Sequence, residues 1–152
     1  MPLKAYGLLF VAGVLLALAM VSFYKTEPST EGKFGGVSLT IEYAASVEAR
    51  EKGLGGRASI PEGYGMLFVF PKEDYYGFWM KDMQVPIDIF WLDDKRQVVS
   101  SVLSVTPESY PNVFYPSAPA RYVLETAAGF GKAHNITIGT PLLLKNLERV
   151  SK

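Results

Sequence analysis

The 152-residue chain contains no cysteine. That absence excludes disulfides, thiolate metal sites, a cysteine nucleophile and a lipid-modified cysteine, because each needs the sulfur. Histidine is almost as scarce. The single one, His134, would have to serve any Ser-His-Asp arrangement or imidazole metal centre. It stands beside Asn135 at an expected helix end, with no Gly-x-Ser-x-Gly elbow or His-Glu-x-x-His run in the chain, and reads as a solvated or helix-capping residue. Net charge is lacking too, since Lys plus Arg and Asp plus Glu number 15 each. Setting Lys4 aside with the N-terminal segment leaves 14 against 15, or 14 − 15 = −1. Such a balance invites neither nucleic acid nor an anionic lipid surface. The acidic pairs Glu73-Asp74 and Asp93-Asp94 do not continue into the spaced ligands of a calcium loop and read as turn chemistry. No internal repeat is present, which argues against solenoids and propellers. The sequence therefore assigns no metal, no cofactor and no catalytic residue.

What is present begins with an uncharged run from Ala5 to Tyr24. Twenty residues at about 1.5 Å each reach about 30 Å, the thickness of a hydrocarbon core. Residues 1–24 are thus expected to form a single transmembrane anchor. Ala17-Leu18-Ala19 also fits a signal-peptidase site, so cleavage is the alternative, and both readings export the rest of the chain. Residues 25–36, rich in Gly, Ser, Thr and Pro, are expected to be a linker. Residues 37–152 are long enough for one domain with one core.

Within that domain Val37 to Tyr43 alternates apolar with polar residues, the signature of a half-buried strand. Ser46 to Lys52 predicts a short helix with Ser46 as N-cap and Gly53 as its stop, so that Arg50 and Arg57 flank one turn. Gly65 to Phe70 is apolar on both parities and ends at Pro71, as a strand covered on both faces would. Further strands are predicted over Phe78 to Lys81, Ile87 to Leu92 and Gln97 to Val105, the last two joined by the Asp93 to Arg96 turn. Pro107 to Pro119 predicts an ordered loop, Arg121 to Glu125 a strand, Ala127 to His134 a short helix, and Pro141 to Lys145 a final strand. The fold class is mainly β: a β-sandwich or barrel-like domain with one or two short helices.

Several ordered motifs carry a resemblance: Glu48-x-Arg50-x-x-Gly53-Leu54-x-x-Arg57, Gly65-Met66-Leu67-Phe68-x-Phe70, Phe78-Trp79-Met80-Lys81, Val85-Pro86-Ile87-Asp88-Ile89, and Val123-Leu124-Glu125-x-x-x-Gly129. Together they resemble the family named domain of unknown function 192, across about Val37 to Leu144. The resemblance implies a compact mainly-β domain, often behind a signal or anchor segment, and no established activity. The chain departs from the family's usual pattern at Gly55, where Met is usual, and at Asp82 and Met83, where Asn-Thr is frequent.

Period-two alternation puts Trp79 and Lys81 on one face of their strand, opposite Phe78 and Met80, while Asp88 shares a face with Phe90 and Leu92. A carboxylate among aromatics needs a partner, and Lys81, Arg50 and Arg57 are the candidates. One reading is a structural ion pair that fixes strand register. The other is a polar-aromatic pocket lined by Trp79, Lys81, Asp88, Arg50, Arg57 and Glu125, with the ring as platform and the charges as orienting groups. The pocket reading makes the chain a non-enzymatic binding or interaction module, held to a membrane by its N-terminal helix and taking a small polar ligand or an envelope protein. Two other readings stay open. In one, Asp88 and Glu125 serve as paired carboxylates of a hydrolase acting on carbohydrate or another envelope polymer. In the other, the domain is a structural accessory subunit.

Overall fold

The computed structural model describes residues 29–145. The expected anchor over 1–24 and residues 146–152 lie outside the described residues. Among the described residues no helix is long and apolar enough to cross a membrane. The fold is mainly β. Its strands are β1 (Ser29–Phe34), β2 (Val37–Ala44), β3 (Tyr64–Asp74), β4 (Phe78–Trp79), β5 (Ile87–Leu92), β6 (Val98–Val105), β7 (Val113–Phe114), β8 (Ala120–Ala127) and β9 (Leu142–Leu144). Two short helices join them, α1 (Val47–Lys52) and α2 (Phe130–Ala133).

Residues 29–36 correct the expected linker. Phe34 is completely buried, and β1 pairs along its length with β2. Gly35 and Gly36 have φ of 61° and 82°, the left-handed pair that a two-residue hairpin loop requires. The strand is polar because only its C-terminal end reaches the core.

Seven strands form one sheet in the order β6-β5-β8-β3-β2-β1-β9, antiparallel except for β2 against β3. The sheet curls until its outer strands approach one another. Gln97 bridges Pro141, the Val98 N–H donates to the Thr140 carbonyl at 3.1 Å, and the Leu142 N–H donates to the Arg96 carbonyl at 2.9 Å. These bonds use the backbone groups that an open edge would leave unpaired. The concave face gathers buried side chains from all seven strands, among them Phe34, Ile41, Leu67, Phe90, Leu124 and Leu142. α2 adds Phe130, stacked on Phe34 with ring centroids 6.1 Å apart. The convex face of the middle strands carries a second core, in which Met66, Phe68, Ile89 and Trp91 are covered by Leu54 and Phe78. Burial on both faces is why β5, Asp88 apart, is apolar without alternation and buried at every position.

α1 follows its sequence signals: the Ser46 side chain accepts from the Ala49 N–H at 3.0 Å, and the Gly53 N–H closes the helix on the Ala49 carbonyl. β3 runs past its expected stop at Pro71. Its register with β8 shifts between Val69 and Asp74, so Pro71 lies where no ladder donor is needed. The expected strand over Phe78 to Lys81 keeps only Phe78–Trp79, paired with β7 as a separate two-stranded ribbon. The faces are as alternation predicts, with Phe78 and Met80 buried and Trp79 exposed.

Gly131 sits where α2 meets the concave core. A Cβ there would lie 2.8 Å from Leu103 Cδ2 and 2.9 Å from Phe90 Cζ. Gly131→Ala is expected to cost about 1–3 kcal/mol by overpacking. Urea unfolding measures this, and an unchanged midpoint would contradict the packing described.

Candidate functional site

Glu125 lies on β8 between Met66 of β3 and Ile89 of β5. Leu124 turns into the concave core, so Glu125 projects with Val123 from the convex face. Its surface is only 4% exposed, and its Oε2 has no hydrogen-bond partner among the described residues. Burial raises its pKa to about 8, against a smaller downward pull from the positive charge of Arg57. At neutral pH the carboxyl is therefore protonated, able both to donate and to accept a hydrogen bond.

Above it opens a cleft of about 570 Å³, inside the range of roughly 300–1,000 Å³ typical of ligand pockets. One wall is α1 with Arg50, Glu51 and Lys52, and the turn after it. The other is aromatic, comprising Phe68, Phe70, Tyr76, Phe78 and Trp79, with Lys81 at its end. Phe70 and Tyr76 stack at 3.6 Å between centroids, and the Arg50 guanidinium lies 5.3 Å from the Phe70 centroid. Arg50 also donates to the carbonyls of Val69, at 3.0 Å, and Ala45, which ties α1 to β3 and fixes the spacing of the walls. Trp79 is 50% exposed and meets Tyr110 edge-on at 6.1 Å.

Four of the six expected residues, Trp79, Lys81, Arg50 and Glu125, thus line one cleft. Arg57 does not. It lines an adjoining hollow of about 490 Å³ that shares Lys52 and Gly53 with the cleft. There its Nη2 donates to both Glu42 carboxylate oxygens at 2.8 and 3.0 Å, and its Nη1 to the Tyr64 hydroxyl at 2.7 Å. Burial, then the hydrogen bond to Glu42, pushes the Tyr64 hydroxyl well above its ordinary range.

Asp88 corrects the expectation most sharply. It lies on the concave face, completely buried, and pairs with none of the three expected cations. Its Oδ1 accepts from the Ser104 N–H at 2.7 Å and its Oδ2 from the Gly131 N–H at 2.8 Å. Two backbone donors compensate the buried carboxylate without a cation. Asp88 and Glu125 project from opposite faces of the sheet, so they cannot flank one scissile bond as glycoside hydrolysis requires.

Sequence reasoning missed Phe70, Tyr76 and Lys52. Lys52 carried a usable signal, lying two residues from Arg50 at the end of the same predicted helix. Phe70 and Tyr76 carried none, because their contact depends on the irregular stretch of chain between them. Two of the departures from the family pattern, Gly55 and Met83, fall on the cleft lining.

A curled, mainly-β sheet with a cleft on its convex face over a buried acid is the class of protein that these observations define. The chain belongs to the DUF192 family, described as "Uncharacterized ACR", whose sequence model matches residues 29–144. No curated protein matches it. Two crystal structures share the fold. One is a "putative transcription regulator" from Sinorhizobium meliloti 1021, 25% identical with a TM-score of 0.75, covering 80% of this chain and 98% of that one. The other is a protein of unknown function from Novosphingobium aromaticivorans DSM 12444, 22% identical with a TM-score of 0.73, covering 79% and 88%.

Proposed function

We propose that this domain is a non-enzymatic binding module, held outside the cytoplasm by the anchor expected over residues 1–24, that takes a small polar ligand in the convex-face cleft. The observation that carries this reading is the buried carboxyl of Glu125, with its Oε2 unpartnered among the described residues, beneath a cleft whose aromatic wall includes the half-exposed Trp79. An unmet buried polar group costs stability, and a ligand group that completes its hydrogen bonding recovers that cost on binding.

Two experiments test the reading. Trp79→Ala removes a half-exposed side chain, so unfolding free energy should change by no more than about 1 kcal/mol while ligand capture is lost. Loss of folding with capture intact would make Trp79 scaffold. Protease shaving of intact spheroplasts should cleave the domain, and full protection until lysis would contradict export.

The name of the Sinorhizobium meliloti structure suggests DNA as another partner. Against it stand equal counts of 15 basic and 15 acidic residues. Phosphate contacts dominate DNA affinity, and this chain has no excess of cations to make them. Gel-shift assays at physiological salt should show no retarded duplex.

A further inference from the structure

We infer that the ligand is a carboxylate-bearing glycan, one sugar of which enters the cleft while its neighbours lie along the outer face of the β4–β7 ribbon. This rests on the binding-module reading and names the chemistry of the same site. Phe78 pairs with Phe114 and Trp79 with Val113, and alternation sends Phe78 inward and Trp79 and Val113 outward. Tyr115 continues the outward row over Gly77, where any Cβ would lie 2.7 Å from its ring. Tyr110, Trp79 and Tyr115 are 47%, 50% and 63% exposed. Trp79 and Gly77 also line the cleft, so ribbon face and cleft are one continuous surface.

Rings laid open in a row beside hydrogen-bonding groups suit a chain of sugars. The apolar C–H faces of sugars cover aromatic rings, while their hydroxyls need partners that both donate and accept. A protonated Glu125 is such a partner. Charge selects the subclass. Arg50, Lys52 and Lys81 line the cleft against Glu51, and the buried Glu125 carboxyl is neutral, so the lining carries 3 − 1 = +2 in a chain whose net charge is zero. Among the described residues Lys52 and Lys81 enter no ion pair. A cationic ligand would meet these charges as repulsion, and a sugar carboxylate meets them as attraction.

The test is calorimetric titration of the full-length chain in detergent with carboxylated hexasaccharides of several linkages, each beside its counterpart with carboxylates reduced to alcohols. The acidic forms should bind about tenfold tighter than the reduced ones, with the advantage shrinking at high salt. Lys81→Gln should remove most of the difference. Tyr115→Ala should weaken hexasaccharide binding and leave disaccharide binding unchanged. Equal binding of acidic and reduced forms would overturn the charge assignment, and an unchanged hexasaccharide affinity in Tyr115→Ala would overturn the ribbon path. If no glycan binds while a mixture of small aromatic and aliphatic acids binds in a Trp79-dependent way, the glycan inference falls and the binding-module reading stands. If neither glycans nor acids bind, both fall.

Discussion

Replacing Asp88 with alanine should lower the unfolding free energy by about 4 kcal/mol. The substitution leaves the buried Gly131 N–H without an acceptor, at about 1–3 kcal/mol, and removes the charge-assisted hydrogen bond of the more exposed Ser104 N–H, worth about 1.5–3 kcal/mol. For a domain of this size the melting temperature should fall on the order of 15 °C. Asp88→Asn keeps one acceptor oxygen and turns an amide donor toward the other N–H, so it should lose about half as much. Neither change should alter binding in the cleft, which lies across the sheet. A near-ultraviolet melt at neutral pH checks both. A melting temperature within about 2 °C of the parent for Asp88→Ala would mean that α2 is not held to the sheet by this carboxylate.

Glu125→Gln should change how stability depends on pH. In the unfolded chain Glu125 loses its proton near its ordinary pKa of 4.5, and in the folded chain near about 8. Between those values the native state holds a proton that the unfolded state has released, so stability falls as pH rises through that window. Below the window both states are protonated and above it both are ionised, so the dependence from this group vanishes. The slope is about 1.4 kcal/mol per pH unit, and across the window the loss reaches several kcal/mol. Glutamine keeps the shape without the titration. Denaturant unfolding should therefore show the variant near the parent at pH 5 and well above it at pH 8. Parallel profiles for the two proteins would rule out the raised pKa.

The sequence revealed elements governed by local physics and concealed those governed by distant contacts. Alternation from Val37 to Tyr43, the Ser46 cap, and the opposed faces of Phe78 and Trp79 depend on near neighbours, and each stands as predicted. β1 did not show, because six mostly polar residues before two glycines resemble a linker until Phe34 finds the core inside the curled sheet. Asp88 was recognisable as a buried carboxylate in need of partners. Its partners are backbone N–H groups, which any residue can supply and no residue type announces. Arg57 stands at the expected turn but faces Glu42, on a strand brought beside it only by the parallel pairing of β2 with β3. Trp79, Lys81, Arg50 and Glu125 were legible as a group because charge and aromatic character recur beside apolar strands. That Glu125 forms the cleft's buried base, with no partner for one of its oxygens, needed the strand order.

A neutral acid at the base of the cleft is what the binding-module reading requires. Carbon-13 NMR of the glutamate carboxyls in the full-length chain, with Glu125 assigned by its loss in Glu125→Gln, reads that state directly between pH 4 and pH 10. The resonance should remain that of the protonated acid at pH 7, with a titration midpoint near 8. A midpoint in the ordinary carboxylate range would put an anion at the base of the cleft and contradict that reading.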